Sequence, residues 1–147
     1  MLPSLQSCEE YLIQRFGVEE IFENFKLVER SGDFWIVPKN MNVEGEYITT
    51  GIRALRDTGI GLKPTTYFLQ WLGNRITKNK LEMDKEILDR LVFDREVLTE
   101  FSGITNGYVA LMYKGEVLGC GLKKNSGLVT QIPKGRAKML KNILDDL

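Results

Sequence analysis

The chain has no histidine, two cysteines and four prolines among its 147 residues. Without an imidazole it lacks the side chain that ordinarily serves as acid and base near neutral pH. Cys8 and Cys120 are far apart, and neither sits in a Cys-x-x-Cys pair or beside a basic residue that would activate it. Two thiols and no histidine give too few ligands for a zinc centre, so no metal, no cofactor and no catalytic residue are expected. Both thiols are expected to be reduced and buried. No stretch approaches the roughly 18 apolar residues that a spanning helix needs. Met1–Ser7 has neither the basic flank nor the apolar run of a secretory leader. A cytoplasmic protein without membrane contact is the expectation. Net charge is missing as well, with 20 basic and 20 acidic residues.

The charges are unevenly placed, and binding depends on local potential rather than on the sum. Residues 1–62 hold ten acidic and six basic side chains, whereas 63–147 hold ten acidic and fourteen basic. The acidic pairs Glu9-Glu10 and Glu19-Glu20 fit solvated helix surfaces. Between 107 and 141, seven of eight charges are positive: Lys114, Lys123, Lys124, Lys134, Arg136, Lys138 and Lys141 against Glu116.

Periodicity supplies the elements. Leu5, Cys8, Leu12 and Phe16 recur at helical spacing over Leu5–Phe16, with Ser7 and Glu10 at capping-box spacing and Gly17 as a stop. A short helical turn over Val18–Asn24 follows. Phe25–Arg30 and Phe34–Pro38 read as strands across Ser31-Gly32-Asp33, then Met41–Glu46 as a loop, with further short strands at Tyr47–Leu55 and Gly59–Leu62. Lys63-Pro64-Thr65-Thr66 is expected to open a helix ending at Gly73. The polar, basic stretch Asn74–Lys80 is the expected domain boundary. Beyond it, Asp84 is placed to cap a helix bearing Ile87, Leu88, Leu91 and Val92. Alternating runs at Tyr108–Tyr113 and Val117–Leu122 flank Lys114-Gly115 as a hairpin, and a third strand follows. A last helix from Lys134 is expected to bury Leu140, Ile143, Leu144 and Leu147. Trp35 and Trp71 read as core, and Tyr108 and Tyr113 fall on opposite strand faces.

Gly119-Cys120-Gly121 lies inside the hairpin and does not open a helix after a strand, which excludes a dinucleotide loop. Its glycines imply a bulge or a close backbone approach. Pro133-Lys134-Gly135-Arg136 leads straight into the last helix. Backbone amides at a helix start, with Lys134 and Arg136 beside them, suit a phosphate. The same residues also fit an ordinary helix start with solvated cations. Lys123, Lys124 and Lys138 would extend such a basic rim, and Lys63, Arg75, Lys78 and Lys80 would form a second flank.

At these residues the chain resembles a known RNA-binding family. Gly107-Tyr108-Val109, then Gly115-Glu116-Val117-Leu118-Gly119-Cys120-Gly121, then Ile132-Pro133-Lys134-Gly135-Arg136 looks like a PUA domain. The nearest likeness is to the C-terminal RNA-binding region of Sun/Fmu-type rRNA cytosine methyltransferases. Gly51-Ile52-Arg53-Ala54, Gly59-Ile60-Gly61 and Lys63-Pro64-Thr65-Thr66 are similar to the "pre-PUA" segment of those proteins and of small ribosome-biogenesis PUA proteins. Thr130 stands where the family often has an asparagine, and neither the Pro-Cys nor the Thr-Cys pair of the methyltransferase site occurs.

The resemblance implies an α+β chain in two parts: a pre-PUA lobe over 1–77 packed on a PUA-like β-pseudobarrel with flanking helices over 78–147. It implies binding to structured rRNA or tRNA, in ribosome biogenesis or RNA modification, without the enzyme. Lys123, Lys124, Lys134, Gly135, Arg136, Lys138, Lys78 and Lys80 would be the RNA-binding residues. A module that docks onto an RNA-modifying enzyme, a ribosomal protein or a ribosome-assembly protein through its acidic first half is the alternative.

Overall fold

The computed structural model describes residues 2–42 and 51–146, apart from the side chain of Leu144. The chain divides into two compact units, Met1–Thr77 and Lys78–Leu147. Among the described residues the fold is α+β, with four α-helices, two sheets and a barrel-like region.

In the first unit, helix α1 (Leu5–Phe16) buries Cys8, Leu12 and Phe16, and Gly17 ends it at a left-handed φ of 69°. The N-cap is Ser4 rather than Ser7: its Oγ accepts from the Ser7 amide at 3.0 Å. Leu5 is consequently 44% exposed rather than part of the buried face. After a 3-10 turn at Glu19–Glu23 come strands β1 (Phe25–Arg30), β2 (Asp33–Pro38), β3 (Ile52–Asp57) and β4 (Leu62–Pro64). They form an antiparallel sheet in chain order. Residues 43–50, which include most of the expected loop and the start of the expected Tyr47–Leu55 strand, lie outside the described residues. Helix α2 (Thr66–Leu72) is capped by Thr65 and buries Phe68, Leu69 and Leu72. Lys63 and Pro64, expected in that helix, instead complete β4, pairing with Arg56 and Leu55.

Burial accounts for Cys8. Desolvation, with the Asp57 charge second, pushes its thiol up to about 11.

The second unit opens with β5 (Lys80–Met83), followed by α3 (Lys85–Asp94) and a two-residue strand β6 (Glu96–Val97). Asp84 caps α3 through its Oδ1, which accepts from the Ile87 amide at 2.8 Å. Strands β7 (Gly107–Tyr113), β8 (Glu116–Lys124) and β9 (Gly127–Thr130) lead to α4 (Lys134–Asp145). The sheet order is β5-β7-β8-β9-β6, with β5 parallel to β7 and the other pairs antiparallel. Lys114 and Gly115 both take positive φ, 50° and 80°, which closes the β7–β8 hairpin in two residues. A bulge lies between Leu111 and Met112, opposite Gly119 and Val117. One core gathers side chains from both helices and all five strands, among them Met83, Leu91, Val97, Leu111, Leu118, Leu128 and Ala137. Ile143, expected in that core, is 53% exposed, and Leu140 packs against it only in part. The burial expected of Leu144 and Leu147 lies outside the described side chains.

Candidate nucleic-acid interface

The structure sorts the predicted basic residues into two sets on the second unit. Lys134, Gly135 and Lys138 are exposed on the first turns of α4, and Arg136 is half-buried there. This helix start is held firmly. Thr130 is 6% exposed, and its hydroxyl accepts from the Ile132 amide at 3.1 Å, which shapes the turn before Pro133. Arg95, in a left-handed conformation at the end of α3, donates through Nη2 to the Ile132 carbonyl. Its own carbonyl accepts from the Thr130 amide at 3.1 Å. Arg95 therefore ties the end of α3 to the segment that launches α4. Nothing in the local sequence announces that role, because its partner lies 37 residues away.

The second set lies at the far end of β8. Lys124 is exposed, three residues along from the Gly121–Thr130 pair, which is about 10 Å of strand. Lys123 is not part of the rim. It is 9% exposed, and its ammonium donates to Asn106 Oδ1 at 3.4 Å and to the Lys124 carbonyl at 3.3 Å. It orders the loop instead. Asn79 Oδ1 accepts from the Thr105 amide at 3.1 Å, and its carbonyl accepts from the Ala110 amide. Lys78 and Lys80 flank it, both exposed. Of the expected irregular linker Asn74–Lys80, only Lys80 lies in a strand, as the first residue of β5 paired with β7.

Lys141 belongs to neither set. Its ammonium lies 2.9 Å from Asp145 and 3.1 Å from Asp89, joining α4 to α3. Tyr113, buried at 4% exposure, donates its hydroxyl to Asp145 at 3.3 Å. The Lys141 hydrogen bond, more than any other influence, holds Asp145 below the usual carboxylate range. Hydrogen bonds to Asp145 and Asp89 raise Lys141 above its ordinary value. Burial first, then the Asp145 charge, raises Tyr113. A depressed carboxylate stabilises the fold above its unfolded pKa, and that contribution disappears as the pH falls through the lower folded value. Urea midpoints measured against pH should therefore fall below the ordinary carboxylate value of 3.8 in wild type. Asp145→Asn should start lower and lose that part of the acid limb. Equal acid slopes would show that the contact contributes nothing.

Tyr108 is half-buried, so of the two strand-face tyrosines one is core and the other is only partly open. Neither tryptophan is fully enclosed. Trp71 packs edge-on against Phe25 at 4.9 Å between ring centres, with Arg75 stacked 4.1 Å over it. Trp35 lines a cleft of about 440 Å³ with Gly51, Ile52, Arg53, Thr65 and Tyr67. A second groove of the first unit, about 520 Å³, is bordered by Glu9, Glu19, Glu20 and Glu23 with Ile13, Phe22 and Lys39. Among the described residues no cluster of acidic and thiol side chains is arranged to hold a metal ion. Among them too, no helix is long and apolar enough to cross a membrane.

Comparison with known proteins adds one orienting result. The chain is 25% identical over 136 residues to a protein named ribosomal RNA small subunit methyltransferase F from Psychromonas ingrahamii. The match takes in 88% of this chain but 28% of that protein, so the chain spans little more than a quarter of the relative's length. This similarity fits the Sun/Fmu resemblance and links the chain to a protein of rRNA modification. No protein-family model matches the sequence.

Proposed function

We propose that this chain is a non-catalytic RNA-binding protein, a pre-PUA unit joined to a PUA-like barrel. It recognises structured rRNA or tRNA in ribosome biogenesis or RNA modification. The observation that carries the reading is the start of α4. Lys134 and Lys138 stand exposed on a helix N-terminus that Thr130 and Arg95 fix in place. Amides and ammonium groups held this way suit phosphate oxygens, and phosphate contacts set register more than sequence. Lys124, Lys78 and Lys80 add exposed charge on the same unit. Similarity to a named rRNA methyltransferase supports the choice of RNA over other polyanions.

A salt-series anisotropy titration against tRNA, an rRNA hairpin and duplex DNA tests this. With roughly four to six phosphate contacts, the log–log salt slope on single-stranded regions should be about −3 to −4, at ~0.7 per phosphate. Tight RNA binding with that slope is the expected result; a flat response sinks the proposal.

The acidic groove around Ile13 and Phe22 favours a second reading, a module that docks onto a basic surface of an RNA-modifying enzyme or ribosome-assembly protein. On that reading Lys134→Glu leaves function intact, while charge reversal at Glu19 and Glu20 breaks the complex.

A further inference from the structure

The cleft beside Trp35 is built from parts that RNA-binding surfaces use, and none of them belongs to the basic rim described above. Trp35 on β2 pairs in register with Arg53 on β3, and strand alternation sends Phe34 into the core while Trp35 stays half-open. Thr65 fixes the opposite wall. Its amide donates to the Ala54 carbonyl at 2.9 Å, its hydroxyl donates to the Arg53 carbonyl, and the same oxygen accepts from the Phe68 amide at 3.1 Å. These bonds bolt the start of α2 to β3. Tyr67, the second residue of α2, is left 67% exposed at the cleft. Arg53 Nη1 lies 3.4 Å from Asp33 Oδ2, yet the side chain remains 46% exposed, so guanidinium donors stay available to a ligand. Gly51 contributes no side chain to the wall.

We propose that this cleft takes one unpaired nucleobase of a single-stranded RNA segment, with Trp35 and Tyr67 as stacking surfaces and Arg53 on the adjoining phosphate. The proposal rests on the RNA-binding reading and adds a second contact point to it, on the other unit. The volume falls within the ~300–1,000 Å³ usual for small-ligand sites. Bases splayed out of a strand are commonly held on aromatic rings and arginine planes. Charge leans toward a nucleotide: Arg56 and Lys63 face each other across β3 and β4, three residues along from Arg53, and with Arg53 they outnumber the carboxylates Asp33 and Asp57 beside them.

The chain has two tryptophans, so a Trp71→Phe background leaves Trp35 as the sole indole reporter. That protein is titrated with a ten-nucleotide single strand of adenylate or uridylate and with the corresponding duplex, reading anisotropy of the labelled RNA and Trp35 emission together. The single strand should quench Trp35, and the duplex should not. Tyr67→Ala should weaken single-strand binding roughly 5- to 100-fold, the value of one stacked base. Tyr67→Phe should restore it, because stacking needs the ring and not the hydroxyl. If anisotropy reports binding while Trp35 emission stays constant, or if Tyr67→Ala binds as wild type, the cleft is not a base site although the chain still binds RNA. If neither signal responds, the cleft is not a base site, and the titration against tRNA and the rRNA hairpin decides the RNA-binding reading on its own. Quenching by a proline-rich peptide in place of RNA would make the cleft a peptide groove and overturn the proposal.

Discussion

Gly127→Ala should lower the unfolding free energy by about 3 kcal/mol, at the upper end of the ~1–3 kcal/mol usual for overpacked sites. The reason is backbone against backbone. A Cβ at Gly127 would stand 2.4 Å from the Val97 carbonyl oxygen and 3.1 Å from Leu98 Cα, and neither can rotate away. The strand pair it disturbs has little to spare, since β6 meets β9 through only Glu96↔Val129 and Val97↔Leu128. Val97 and Leu128 are each 1% exposed, so moving one strand opens the barrel core along its shortest seam. Two other glycines calibrate the effect. At Gly121 the added methyl would meet Leu111 and Leu128 methyls at 3.1–3.2 Å, which are side-chain ends able to shift, so Gly121→Ala should cost less. At Gly135 nothing lies within 4 Å, and alanine is the better helix former by ~1 kcal/mol, so Gly135→Ala should stabilise. Urea midpoints of the three variants should rank in that order. Equal midpoints for Gly127→Ala and Gly121→Ala would mean that the β6–β9 seam gives way freely.

Much of this architecture was legible because local signals and tertiary demands agree. Leu5–Phe16 carries a helical stripe and a glycine stop, and the helix occupies those residues. Lys114-Gly115 sits between two alternating runs, and the hairpin turns there. What stayed hidden depends on partners distant in sequence. Lys80–Met83 is only four residues long with polar side chains at alternate positions, and it becomes a strand because β7 lies parallel beside it. Glu96–Val97 is a strand only through β9. The tryptophans misled for a related reason: both sit in apolar runs, but at position 35 strand alternation had already committed Phe34 to the interior. In the candidate interface, the exposed lysines of α4 were readable from composition and the helix start. The burial of Lys123 was not, because it follows from Asn106 reaching across from the loop before β7. Arg95, Trp35 and Tyr67 were equally invisible as site residues, since each acquires its setting only when the chain folds.

Paired reversal at Lys134 and Arg136 to glutamate should weaken RNA binding about a hundredfold, taking ~1.5 kcal/mol for each charge-assisted hydrogen bond to phosphate. The salt slope should shrink by about 1.4, at ~0.7 per phosphate on single strands. The two readouts separate two kinds of failure. Removal of phosphate binding changes affinity and slope together, whereas a misfolded α4 would also lower the urea midpoint. Stability gives an independent check, because Lys134 is exposed and Arg136 is half-buried, and neither belongs to the core that Ala137 and Leu140 help to fill. Glutamate in the first turn also complements the helix dipole, so Lys134→Glu alone should be as stable as wild type or slightly more so, and it is the stability control for the double variant. Affinity and stability are thus expected to move independently. The residues that serve an ordinary helix start best are acidic, and this chain places Lys134, Arg136 and Lys138 there instead. A hundredfold weaker affinity in a protein of undiminished stability would assign those cations to RNA. Unchanged affinity with the same stability would mean that they are solvated charge, and the acidic groove of the first unit would become the surface to pursue.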